Sequence, residues 1–189
     1  SIDIQIITSH VGAYLGNHAL LGAAERLHCL LMPGDFLSRR IFRKKLWVTN
    51  RMIPWKFHYV YDGRTWRDIH TLCLRSCKHF QQGAQIVVHY TQEGTGTEWE
   101  AARSLGGIEW RQCSMPQGEA KYRLQALWEE GGFMSSLDML FIKSLETLRD
   151  SVAIIGTQCK QKRKLMAGVV GARPGAAYVK AYLDEYSDD

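Results

Sequence analysis

The chain has 189 residues, 46% of them hydrophobic and 23% charged, with a formal net charge of +5. This composition excludes a wholly disordered chain, because it supplies enough apolar surface for one sizeable core. No apolar run reaches the roughly 20 residues that a membrane-spanning helix needs. The mild positive charge is compatible with nucleotide phosphates, RNA or a membrane surface and does not choose among them.

The cysteine usage and the N-terminus indicate a compartment. Five cysteines stand at irregular spacing, and an odd number argues against a disulfide framework. The first residues lack the basic region of a secretory signal, and the chain begins with Ser rather than Met. Removal of the initiator Met and removal of an organelle-targeting segment both remain open. We therefore expect a reducing intracellular location, with the mitochondrial matrix or another organelle included.

Residues 1–46 are predicted to form a helical extension with a basic linker, ahead of a domain over residues 47–189. A helix is predicted from Asn17, a suitable N-cap, to Met32, just before a Pro-Gly pair. Its leucines and alanines form a wide apolar stripe. The stripe either packs on the domain or docks on a partner, and both interpretations stay open.

Two basic clusters are candidate contacts for anions. Arg39–Lys45 contains five basic residues, and Lys160–Lys164 contains four. The simpler interpretation is a solvated surface. The alternative is contact with RNA phosphates or an acidic lipid surface.

From residue 53 onward, strands and helices alternate. Strands are predicted over Lys56–Tyr61, Gln85–Thr91 and Ile108–Cys113, separated by helices over Thr65–Phe80 and Glu98–Ser104. Such alternation predicts an α/β domain whose mostly parallel sheet is covered by helices on both faces.

Three side chains of the helix at Thr65–Phe80 share one face and are candidate metal ligands: His70, Cys73 and Cys77. The residues that would complete a tetrahedral site are not evident, so small buried side chains are the simpler interpretation. For His58, on the first strand, a core or strand-face histidine is likewise favoured over a functional one.

The central stretch Lys121–Lys143 combines an amphipathic helix, a Gly131-Gly132 break and an apolar strand that leads to Asp138. Glycine permits the left-handed turn that ends a helix. The strand carries one carboxylate toward its C-terminal end, where open α/β sheets bind ligands. A helical segment over residues 144–150, strands over 152–156 and 166–171, and a helix over 175–186 are predicted after it.

The spacing of this stretch follows a known pattern. Arg123 stands eight residues before Gly131 and fifteen before Asp138, and Ile53-Pro54 opens the first strand. The chain thereby resembles the sugar-transferase family with a DXD sugar-binding region, which has the GT-A fold and is similar to bacterial glucosylating toxins. The resemblance implies a GT-A-like three-layer sandwich with a mostly parallel, Rossmann-like sheet. It also implies that active relatives continue beyond the last helix of this chain.

The resemblance implies a nucleotide-sugar site at Tyr61, Arg123, Ser136 and Asp138. Tyr61 would stack on the base, Arg123 would hold donor oxygens, and Asp138 would be a weak ligand for Mn²⁺ or Mg²⁺. Two family carboxylates are missing, because Ser136 and Ala120 stand in their places. A hard cation prefers carboxylate oxygens, so the substitutions indicate a degenerate site that needs no cofactor.

The favoured hypothesis is therefore a non-catalytic, glycosyltransferase-like accessory or scaffold subunit, bound to other protein subunits of a larger assembly. The alternative is an active, metal-dependent nucleotide-sugar transferase that uses Asp138 and Arg123. RNA binding through the basic clusters is compatible with the first. In either case Tyr61 and Asp138 should lie at the same end of one sheet.

Overall fold

The structure, a computed structural model, describes residues 4–8, 52–157 and 165–185. Within these ranges the chain forms one sheet of seven strands and four α-helices. The strands are β1 (Ile4–Thr8), β2 (Lys56–Tyr61), β3 (Gln85–Tyr90), β4 (Ile108–Gln112), β5 (Gly132–Ser135), β6 (Ala153–Thr157) and β7 (Leu165–Ala172). The helices are α1 (Asp68–Phe80), α2 (Thr97–Arg103), α3 (Glu119–Glu130) and α4 (Ala177–Glu185). None of the described helices combines the length and the apolar character needed to cross a membrane.

The sheet is mostly parallel and has the order β1-β6-β7-β5-β2-β3-β4. β2, β3, β4 and β5 form parallel pairs, with α1, α2 and α3 as the intervening crossovers, and β1 runs parallel to β6. β7 lies antiparallel between β5 and β6. The predicted α/β class and Rossmann-like sheet are therefore confirmed.

Most of the elements predicted from residue 53 onward occur within two residues of their predicted bounds, and two differ more clearly. Helix α1 begins at Asp68 rather than at Thr65, because Arg67 has extended backbone angles and is the N-cap. The helical segment predicted over residues 144–150 is reduced to a single 3₁₀ turn, Glu146–Leu148.

Successive strand residues point to opposite faces of the sheet, and each face packs against two helices. On β2, Phe57, Tyr59 and Tyr61 face one cluster, which α1 and α2 cover. Val60 faces a second cluster, which α3 and α4 cover. Helices on both faces make the three-layer sandwich that the alternation predicts.

The Gly131-Gly132 break joins α3 to β5 in a space that admits no side chain. Gly131 has φ of 65° and Gly132 has φ of 105°, in the region that favours glycine. A Cβ on Gly131 would lie 2.5 Å from the Cδ of Pro174, and one on Gly132 would lie 2.6 Å from the carbonyl oxygen of Lys56. Glycine is therefore required at both positions, by the close packing as well as by the backbone conformation at the end of the helix.

The predictions for the N-terminal segment and for the two basic clusters fall largely outside the described residues. The predicted helix Asn17–Met32 and both basic clusters, Arg39–Lys45 and Lys160–Lys164, lie there. The domain boundary between residues 46 and 47 stays a prediction. The sheet nevertheless includes Ile4–Thr8, because β1 supplies a parallel edge to β6. At least this part of the predicted extension belongs to the sheet.

Candidate functional site

The carboxyl ends of β2 and β5 define the candidate site. The two strands pair in parallel, with Phe57 beside Phe133 and His58 beside Met134, so both strands end at the same edge of the sheet. Tyr61 ends β2 at this edge, and the turn that holds Asp138 follows β5. The expectation that the two residues lie at the same end of one sheet is confirmed.

Arg123 connects helix α3 to this edge. Its Nη2 donates a hydrogen bond to the Oγ of Ser136 at 3.2 Å, and its Nη1 lies 3.2 Å from a carboxylate oxygen of Glu119, one helical turn earlier. Burial lowers the pKa of the Arg123 guanidinium, and the charge of Glu119 opposes that effect. An arginine remains protonated at neutral pH, so the edge carries a fixed positive charge.

Asp138 lies in the turn that follows β5. The backbone N–H of Ser136 donates to the carbonyl of Gly168 on β7, and the N–H of Met139 donates to the carbonyl of Ser136. The turn leaves the Asp138 side chain exposed. Its charge acts on Arg123 and on His70 of helix α1. The structure thus brings Arg123, Ser136 and Asp138 together, as the spacing of the sequence implies.

Tyr61 is placed differently from these three. Its side chain is 3% exposed, and its ring lies 5.0 Å from that of Trp66 and 5.4 Å from that of Trp99. Its hydroxyl donates to the carbonyl of Arg64. Burial, and then the charge of Asp62, raise the pKa of Tyr61. Stacking on a base stays a prediction, and it would require this ring to be uncovered.

The face that holds His70, Cys73 and Cys77 packs mainly into the core. Burial raises the pKa of Cys73 and of Cys77 to about 12, so both are neutral thiols at physiological pH. A metal binds the thiolate, which this environment disfavours. The Nδ1 of His70 accepts the backbone N–H of Arg67 at 3.3 Å and helps to cap α1. Among the described residues, no three His, Cys, Asp or Glu side chains are grouped as a metal site.

The structure adds a cluster that sequence analysis missed. His58 is fully buried, as expected of a core histidine, and its Nδ1 lies 3.0 Å from the Nε2 of His89 on β3. Its Nε2 lies 3.0 Å from the carbonyl oxygen of Gly131. The Nδ1 of His89 lies 2.9 Å from the hydroxyl of Tyr122 on α3. One available signal was the position of each histidine in its predicted strand: His58 is the third residue and His89 the fifth, so alternation places both on the same face of the sheet.

A charged network lies beside this cluster. Glu130, the last residue of α3, contacts the Nζ of Lys56 at 2.8 Å and the Nη1 of Arg111 at 2.5 Å. Partial burial opposes ionisation of Glu130, but the bonds to Lys56 and Arg111 prevail and lower its pKa to about 2. The network ties the end of α3 to β2 and β4.

A cleft of about 410 Å³ opens on the outer side of the same helix. It lies between α3 and the loop that follows β4, and Arg111, Pro116, Lys121, Tyr122 and Glu130 are among the residues that line it. Its wall carries both signs of charge, so its shape alone does not choose a ligand.

No family model matches the chain, and no curated protein matches it. Among solved structures, the chain is similar to the PaToxG glycosyltransferase, with a TM-score of 0.54 and 14% identity, over 72% of this chain and 60% of that chain. The chain has a glycosyltransferase-like GT-A fold. The galactosyltransferase LgtC, crystallised with donor and acceptor sugar analogues, matches with a TM-score of 0.46 and 13% identity, over 70% of this chain and 65% of that one.

The likeness to PaToxG concerns the fold, because so low an identity does not carry an activity from one protein to another. The chain spans less than two thirds of the length of either solved structure. The predicted GT-A-like sandwich is confirmed, and the role of its carboxyl edge has to be inferred from the residues there.

Proposed function

We propose that this protein is a non-catalytic, glycosyltransferase-like domain that acts as an accessory or scaffold subunit. The observation that supports the proposal most is the contact between Arg123 and Ser136. Ser136 stands where the family pattern has its first carboxylate, and its hydroxyl accepts a hydrogen bond from the arginine that the pattern assigns to donor oxygens. The contact thus engages the Arg123 guanidinium with a side chain of the domain itself.

The charge at this edge is poorly suited to a metal-bound diphosphate. A divalent cation that bridges such a group prefers several carboxylate oxygens. Asp138 supplies one carboxylate, Ser136 supplies a neutral oxygen, and Ala120 supplies none. A cation bound to Asp138 would also lie near Arg123, because the charges of Arg123 and Asp138 interact here. The positive charge of Arg123 would repel that cation.

The position of Tyr61 supports the same proposal. A base-stacking ring has to present one face to the ligand. In this structure Trp66 and Trp99 surround the ring of Tyr61, and its hydroxyl bonds to the backbone of Arg64. Opening that cluster would expose large aromatic surfaces, which opposes the binding of a base.

Calorimetry with UDP- and GDP-sugars in the presence of Mn²⁺ tests the proposal. We expect no heat of binding at millimolar ligand, and a dissociation constant of 1 mM corresponds to only about −4 kcal/mol. Mn²⁺-dependent binding that is lost in Asp138→Ala and kept in Asp150→Ala would contradict it. Asp150 is a suitable control because it is also an exposed aspartate, away from the turn after β5.

The active transferase remains the second candidate, because Arg123 and Asp138 do share one edge of the sheet. In that case the wild-type protein should release nucleotide diphosphate from a sugar donor, and Asp138→Ala should abolish the release. The variant Ser136→Asp combined with Ala120→Asp restores the carboxylates of the pattern. Gain of Mn²⁺ binding in that variant would show that the edge still admits a cation.

An accessory role requires partners, and two features make them testable. Ile142 is 77% exposed in the segment between β5 and β6, and we propose this apolar residue as a contact with a partner. The basic clusters Arg39–Lys45 and Lys160–Lys164 would supply contacts to RNA or an anionic surface. Purification from cells at increasing salt should separate a partner held by apolar contact from one held by phosphate contacts, which weaken steeply with salt.

A further inference from the structure

While both histidines are neutral, the bonds among Tyr122, His89, His58 and Gly131 allow a single arrangement of protons. The carbonyl of Gly131 can only accept, so the Nε2 of His58 must carry a hydrogen and donate it at 3.0 Å. With His58 neutral, its Nδ1 accepts from the Nε2–H of His89 at 3.0 Å. The Nδ1 of His89 then accepts from the hydroxyl of Tyr122 at 2.9 Å. Every hydrogen bond therefore runs in one direction, from Tyr122 to Gly131.

This chain of bonds fastens both ends of α3 to the sheet. Tyr122 is the fourth residue of the helix, and Gly131 is its C-cap. His58 and His89 belong to the adjacent strands β2 and β3, and both side chains are fully buried. The apolar contacts of α3 in this layer come from Leu124, Ala126 and Leu127, with Trp128 packed against the same cluster, and the polar chain adds to them.

The charged groups that act on the two histidines lie on β2, β4 and α3. Glu130 of α3 favours a proton on His58, whereas Lys56 of β2 and Arg111 of β4 oppose it. Around His89 the opposing charges are His58 and then Arg111, whereas Glu130 and Glu109 favour the proton. Burial is the largest effect at both sites and lowers the pKa of each histidine to about 4.

We propose that the chain Tyr122–His89–His58–Gly131 is an acid-sensitive latch that holds α3 on the sheet. An imidazole that takes one proton from solvent becomes a donor at both nitrogens. A protonated His58 would direct an N–H at the N–H of His89, and a protonated His89 would direct one at the hydroxyl of Tyr122. The bonds between the rings and to Tyr122 can then form only in the reverse direction, with the hydrogen of His89 on Nδ1 and the Tyr122 hydroxyl as acceptor. That arrangement leaves a charged ring at a fully buried position, which favours opening of the helix from the sheet at low pH.

The tautomers are the first test, and they need only the wild-type protein. Long-range ¹H–¹⁵N correlation spectra distinguish a hydrogen on Nε2 from one on Nδ1. At pH 7 we expect His58 and His89 both to be neutral with the hydrogen on Nε2. A hydrogen on the Nδ1 of either ring, or a charged ring at pH 7, would overturn the proposal.

The opening of the latch is the second test, by hydrogen exchange at pH 7 and pH 5 after correction for the intrinsic rates. One histidine whose pKa rises from about 4 to the ordinary 6.5 on opening predicts roughly 20-fold faster exchange in α3 at pH 5. At low denaturant concentrations the exchange rate in α3 should also increase less with denaturant than the exchange rate in α1, because a local opening exposes little surface. If α3 and α1 lose protection together at every denaturant concentration, the opening is global unfolding, and this result would overturn the proposal.

The variant His89→Gln separates the latch from other acid effects. A glutamine amide can donate toward His58 and accept from Tyr122, but it does not titrate. We expect the pH response of α3 to decrease by at least half in this variant and to persist in His79→Gln, which changes an exposed histidine of α1. A full response in His89→Gln would contradict the proposal, and the tautomer test decides if that variant fails to fold.

Discussion

At the scale of single residues, glycine at the α3–β5 junction decides how closely the layers approach. Gly132 has φ of 105°, and its Cα faces the carbonyl of Lys56 on β2. Because β5 sits beside β2 in the centre of the sheet, a displacement here moves the strand that leads to Asp138. The residue therefore links backbone conformation to the geometry of the candidate site.

Gly132→Ala should lower the free energy of unfolding by roughly 3 kcal/mol, from backbone strain together with overpacking. Its Cβ would lie 2.6 Å from the carbonyl oxygen of Lys56, a contact that backbone cannot easily relieve. Gly83→Ala is the matched control for strain alone, since Gly83 has φ of 74° and open space around it. Denaturant unfolding of both variants measures the difference, and equal losses would show that the contact has no cost.

At the scale of elements, a buried glutamine joins α1 to the segment after β5. Gln81, the C-cap of α1, is 1% exposed. Its Nε2 donates to the carbonyl of Lys143 at 2.9 Å, and its Oε1 accepts the N–H of Leu145 at 2.9 Å. The segment that starts at Asp138 is thereby held along α1, and Phe141 enters the core beside Phe57.

Gln81→Met should cost about 2 kcal/mol of stability, because a similar volume is kept while two backbone groups lose their partner. Gln82→Met is the control, since the neighbouring side chain is exposed. Thermal unfolding of the two variants gives the comparison. A loss in Gln82→Met as large as that in Gln81→Met would point to a helix effect unrelated to the buried amide.

At the scale of the whole molecule, acid stability depends on buried charge. The folded-state pKa of His58 and His89 is about 4, below the ordinary 6.5, so their neutral forms stabilise the folded protein above pH 6.5. This contribution is lost as the pH falls from 6.5 to 4. Glu130 has a lowered pKa of about 2, so its contribution is present above 4.5 and is lost below it.

The free energy of unfolding should therefore decrease in two ranges of pH, from 6.5 to 4 for the histidines and from 4.5 to 2 for Glu130. Urea unfolding at a series of pH values measures it. In His89→Gln the decrease above pH 4.5 should become smaller, whereas Glu130→Gln should leave that range largely unchanged. A stability that stays constant from pH 7 to pH 5 would contradict this assignment.

The edge strand β1 gives a second prediction at this scale. Removing residues 1–8 takes away the parallel partner of β6 and leaves that strand with an open edge. We expect a lower thermal midpoint and more self-association in size-exclusion chromatography. Removing the last three residues is the control for shortening as such. An unchanged midpoint would show that β1 adds no stability.

Sequence alone anticipated much of the architecture and part of the site. The strand Lys56–Tyr61 has the predicted bounds, and the Gly131-Gly132 break lies where the composition places it. The family resemblance implied that Arg123 and Asp138 belong to one site, and in the structure the charge of Asp138 acts on Arg123. These features depend on neighbours within a few residues, or on the rule that parallel strands open at one edge.

The sequence by itself determined the alternation of strands and helices and the approximate bounds of most of them, because propensity and periodicity act locally. Tertiary structure decided the rest. The ring of Tyr61 is covered by Trp99, from a helix that follows the next strand. β7 enters antiparallel between β5 and β6, and His58 meets His89 and Tyr122 across three elements. Each depends on which distant segments lie side by side, and local preferences do not specify that.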